Sequence, residues 1–188
     1  MSFDWHLFWN VAPAWIQAIG SILALVAVIL ASKIPVNHAA SEKRRTIFAI
    51  VEAAHSHACN IRKAIDAMGW PTGNNHLIYQ VYNKVIIESV VRALQGVPTH
   101  ELGSSKAVLA MLSLTDQMVF LGSAVETLLN GPLNHPEIKK ALESIDQNDH
   151  AQRLKLGATG FSVLQSNARG HLDQVDKEYE SLKESLKS

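Results

Sequence analysis

A single cysteine, Cys59, stands in 188 residues. That excludes an intramolecular disulfide framework and any zinc module needing two or more cysteine ligands. Glycine and proline are scarce, at 10 and 6, which excludes collagen-like and low-complexity sequence. Neither sign of charge is in excess. The 17 basic and 17 acidic residues cancel, which excludes a strongly basic, wholesale nucleic-acid binder. The most informative absence is local. No Asp, Glu, Lys or Arg occurs between Asp4 and Lys33, so all but one of the 34 charged residues lie from Lys33 onward. Composition therefore divides the chain into a tail with a membrane segment (1–35) and a soluble body (36–188).

Residues 11–31 read VAPAWIQAIGSILALVAVILA. As a helix these residues span about 31 Å, the hydrocarbon thickness of a bilayer. Trp5, Trp9 and Trp15 sit near the outer edge, where amphipathic rings favour the interface. A secretory signal would want basic residues before the run and a small-residue cleavage site after it; no Lys or Arg precedes it, and the candidate sites, before Ser32 and before Ser41, are poor. A buried core helix is rarely this long and this free of polar groups. A single span is the expectation. Lys33, Lys43, Arg44 and Arg45 follow it and no Lys or Arg precedes it, which predicts an outside N-terminus and a cytoplasmic body at a bacterial inner membrane. Gln17, Gly20, Ala24, Ala27 and Ala31 recur at spacings of three and four on one face, with Ser21 beside them. Small residues let helices approach closely and a Gln in hydrocarbon seeks a partner, so this face predicts contact between copies or a pore lining. The alternative is chance, since Ala and Gly are common in spans.

The body shows only helical periodicity. Helices are predicted over 41–68, from about 75 to 95, from about 104 to 130, from Pro136 to about 145, and from about 149 to the end. Gly69–Gly73, Gly96 with Pro98, and Gly131 with Pro132 break them. In the fourth stretch counted from the span, Val108, Met111, Leu112, Met118, Val119, Gly122, Val125 and Leu129 are expected to face inward. In the last helix a seam runs Leu154, Ala158, Phe161, Gln165, Ala168, Leu172, Val175, Tyr179, Leu182 and Leu186, started by an Asp149–Gln152 capping box. The fold class is thus all-α: one N-terminal transmembrane helix, then a cytoplasmic bundle of four or five helices with a long C-terminal helix.

Enzyme templates fail. There is no phosphate-binding Gly-rich loop, no HExxH, no Gly-x-Ser-x-Gly elbow and no paired-carboxylate pattern, so no catalytic residue and no cofactor is expected. His55 and Cys59 lie four apart on one helix face, which suits two metal ligands, while His57 points away. A third ligand would have to come from elsewhere, such as His76 or His100; without one, these are a packed Cys and surface His, and no metal is expected. Lys43, Arg44 and Arg45 serve as a topology signal that contacts lipid phosphates. Alternatively, with Arg62 and Lys63, they form a basic ring in a symmetric oligomer that receives an anionic nucleotide or oligonucleotide. Asp173, Asp176, Lys177, Glu178, Glu180, Lys183, Glu184 and Lys187 read as a solvated face.

The order and size of these parts (span, basic joint, helical body) resemble small bacterial membrane effectors of anti-phage systems, the Hailong-type channel effector among them. The resemblance covers the whole chain, rests on layout and carries no residue role. It implies a homo-oligomeric ion channel gated by the nucleotide product of a partner nucleotidyltransferase. The competing expectation is a membrane-anchored interaction or scaffold protein without a pore.

Overall fold

The computed structural model describes residues 42–71 and 75–187. The chain divides into two compact units, Met1–Arg45 and Thr46–Ser188. The predicted span, with Gln17, Gly20, Ser21, Ala24, Ala27 and Ala31, lies outside the described residues, as does the boundary at 35.

Every regular element among the described residues is helical. Helix α1 covers 42–66. It is followed by α2 (His76–Val81), α3 (Lys84–Gln95), α4 (Ser105–Asn130), α5 (Pro136–Glu143) and α6 (His150–Lys187), with 3-10 turns at Thr99–Glu101 and Pro132–Asn134. In the second unit one hydrophobic core runs through α1, α2, α3, α4 and α6. Helices α4 and α6 are antiparallel neighbours: Lys106 pairs with Glu184 near one end, and Gln117 bonds His171 further along.

The α1 periodicity is realised at Ile47, Val51, Ala54, Ala58, Ile61 and Ile65, which are buried; Ile50 is half-buried, and Met68 is buried just past the helix end. The expected single helix over 75–95 is instead two. Tyr82 is extended, and the Asn83 side chain accepts from the Val85 N–H at 2.9 Å, capping a new helix. The two interrupting residues reset the helical phase. Val85 and Ile86 turn outward, and Ile87, Val91 and Leu94 enter the core.

Helix α4 is the one described helix with the length and hydropathy of a membrane span, and half of its most apolar window is buried. Its apolar residues nearly encircle it, so periodicity alone leaves its orientation open. Packing against both α3 and α6 turns in Leu114, Leu121 and Leu128 beside Met111, Met118 and Val125. Leu112 and Val119, expected inside, are exposed.

Asp149 accepts from the Gln152 N–H at 2.9 Å, one half of the expected capping box, while its own N–H bonds the Asp146 carbonyl. The seam holds from Phe161 through Leu182, all along the core rather than beyond it. Its first two turns are rotated: Leu154 and Ala158 are exposed, and Gly157 and Gly160 face inward. The glycines let partners close in. A Cβ on Gly157 would lie 3.2 Å from the Trp70 ring, and one on Gly160 would lie 2.5 Å from Ile138 Cδ1.

Candidate functional site

A polar cluster on the second unit joins α1 to α6. His55, Cys59 and Arg62 project from one stripe of α1 at spacings of four and three. Asp173, Asp176 and Tyr179 answer from α6 at spacings of three. His55 Nε2 lies 3.0 Å from Asp176 Oδ1 and 3.7 Å from Cys59 Sγ. The His55 ring stacks on Tyr179, with centroids 3.9 Å apart and planes within 2°. Arg62 forks across one turn of α6: Nη1 donates to Asp173 Oδ1 and Nη2 to Asp176 Oδ2, both at 2.7 Å. Burial works against the charge on the Arg62 guanidinium, but Asp173, Asp176 and Asp66 together outweigh it and raise the pKa. His55 and Arg62 are about a quarter exposed, whereas Asp176 is 45% exposed, so solvent reaches the carboxylate side.

Sequence reasoning placed Arg62 and Lys63 together in an anion-binding face. The structure separates them. Arg62 is engaged by two aspartates, while Lys63 looks onto a groove of about 430 Å³ with His57, Leu77, Val81 and Ile86. Lys43, Arg44 and Arg45 are exposed at the start of the described helix, in the first unit. His57 indeed points away from Cys59. Burial lowers its pKa, and its Nε2 finds no hydrogen-bond partner. The third member of the His55–Cys59 set is neither His76, which opens α2, nor His100, which lies in the 3-10 turn beside Glu101. It is Asp176, a residue read as solvated. A weak signal for it exists in the sequence: Asp173 and Asp176 each follow a seam residue, Leu172 and Val175, and so flank the buried stripe.

A second feature is a cleft of about 750 Å³ between α5, the start of α6 and Trp70. Trp70, Leu142 and Leu154 give it apolar walls; Lys139, His150 and Arg153 bring basic groups, with Glu143 opposite in sign. Arg153 is held in place by donating from Nη1 to the Leu142 carbonyl at 3.1 Å and to the Ile145 carbonyl at 3.4 Å. Trp70 stacks near Phe161, and its indole N–H is buried without a hydrogen-bond partner. Sequence reading missed this cleft, because its lining comes from two helix ends and a turn.

No protein-family model matches the chain, and no curated protein or solved structure shows significant similarity to it.

Proposed function

We propose that this chain is a single-span, homo-oligomeric membrane protein. Its helical bundle is the cytoplasmic regulatory part of an ion channel or pore-forming effector, working in bacterial anti-phage defence. The observation that carries the reading is the pairing, in one chain, of a span-length stretch without charge and a folded bundle with a ligand-sized basic cleft. The basic residues after the stretch orient the bundle to the cytoplasm. Association of copies is favoured by the outward face of α4, where Leu109 is 67% and Phe120 50% exposed. The ligand is a planar anion, a nucleotide or oligonucleotide. An aromatic wall at Trp70 beside Lys139, His150 and Arg153 suits a base and its phosphates better than a ring containing Arg62, whose charge Asp173 and Asp176 already meet.

The test is ion flux from vesicles holding the full-length chain, with and without a panel of mono-, di- and oligonucleotides. Flux should require one of them and weaken in Lys139→Glu. Ala24→Leu or Ala27→Leu should block it, and Ile22→Leu should not. A reporter fused after Ser188 should be active only in the cytoplasm. Flux absent with every nucleotide, alongside a cytoplasmic reporter, would favour the second reading, a membrane-anchored interaction protein. The exposed α4 face supports that reading equally well.

A further inference from the structure

We propose that His55, Cys59 and Asp176 form a mononuclear site for a divalent transition metal of the zinc class. Three lone-pair atoms converge there. His55 Nε2, Cys59 Sγ and Asp176 Oδ1 all lie within 4.8 Å of one another. Without a metal, the contacts compete. If Nε2 carries its proton for Asp176, it cannot also accept from the thiol. A cation at the centre serves all three at once. In a tetrahedral zinc site with bonds of about 2.0–2.3 Å, ligand atoms stand roughly 3.3–3.7 Å apart. The 3.7 Å between Cys59 and His55 already fits. The 3.0 Å between His55 and Asp176 needs only a small opening.

The surroundings hold the ligands in place. Tyr179 stacked on His55 fixes the imidazole plane. Arg62 holds the other carboxylate oxygen of Asp176, leaving Oδ1 turned to the centre. Such supporting contacts orient metal ligands. Charge also balances. A doubly charged ion and Arg62 together offset the Cys59 thiolate, Asp173 and Asp176. One sulfur, one nitrogen and one oxygen select zinc, cobalt or nickel over magnesium or calcium. On binding, the thiol proton leaves to solvent, the imidazole proton moves from Nε2 to Nδ1, and water takes the fourth position. The ion would tie α1 to α6, elements 121 residues apart at His55 and Asp176.

The experiment titrates Co2+ into the full-length chain in detergent. About one equivalent should give a sulfur-to-cobalt charge-transfer absorption with visible d–d bands, and Zn2+ should displace it. Cys59 is the chain's one cysteine, so that absorption reports on it alone, whatever the other eight histidines bind. Cys59→Ser should abolish the band. Asp176→Asn should weaken cobalt binding at least tenfold. Arg62→Gln should keep the band and weaken binding roughly 10- to 100-fold. Zn2+ should raise the thermal midpoint of the wild type and leave that of Cys59→Ser unchanged. A wild type without the charge-transfer band, or an Asp176→Asn variant that keeps full affinity, overturns the site. If Asp176→Asn loses its helical dichroism, the presence or absence of the wild-type band decides.

Discussion

Gln165 donates its side-chain Nε2 to the Ile65 carbonyl at 2.7 Å, across 100 residues of chain. Ile65 lies in the last turn of α1, where carbonyls have no partner within the helix. A polar residue in the seam of α6 thus caps another helix. The Ile65 carbonyl also accepts from the Met68 N–H at 3.1 Å, so Gln165→Leu should remove the shorter of two bonds and lower stability by about 0.5–1.5 kcal/mol. Urea unfolding followed by helical dichroism checks this; an unchanged midpoint would mean that water replaces the amide without loss.

Two glycines of α6 should respond with opposite signs. Nothing lies within 4 Å of a Cβ placed on Gly170, so Gly170→Ala should gain the helix preference of Ala, about 0.5–1 kcal/mol. A Cβ on Gly157 meets the rigid Trp70 ring at 3.2–3.3 Å. Gly157→Ala should therefore fall below wild type in thermal midpoint while Gly170→Ala rises above it. Equal shifts would contradict the close Trp70 contact.

His57 should make stability depend on pH. Its folded-state pKa is lowered from 6.5 by burial, so the unfolded chain binds the proton more readily. The stability it contributes is present above pH 6.5 and is lost as pH falls toward the folded-state value. His57→Gln should flatten the fall in urea midpoint between about pH 7 and 5 relative to wild type. Parallel pH profiles for the two proteins would remove His57 as the cause.

The exposed stripe of α4 should govern association without governing the fold. Leu109 and Leu112 are 67% and 51% exposed, so Leu109→Glu with Leu112→Glu breaks no core contact. Detergent-solubilised double variant should keep its helical dichroism and run at a smaller mass than wild type by light scattering. An unchanged mass would place the contacts between copies elsewhere.

Much of the architecture is legible in the sequence. Helix ends carry local chemistry, and Asp149, Ser104 and Pro136 start helices where their residue types prefer to stand. The Asn83 cap is equally local, but Ile78, Val81, Tyr82, Val85 and Ile86 keep helical spacing straight through it and mask the break. The candidate site was half legible. His55 and Cys59 share a face by spacing alone. Asp176, which completes the set, sits among charges that read as solvated.

What the sequence by itself determined is the helical class, most of the helix limits and the charge-free run between Asp4 and Lys33. These depend on hydrogen bonds and periodicities that reach no further than about four residues. Only the tertiary structure decided which side of α4 turned inward, why Gly157 and Gly160 are glycines, and which carboxylate met His55. Each of those outcomes depends on a partner far away in the chain: α3 and α6 for α4, Trp70 and Ile138 for the glycines, and for His55 the register at which α6 lies along α1.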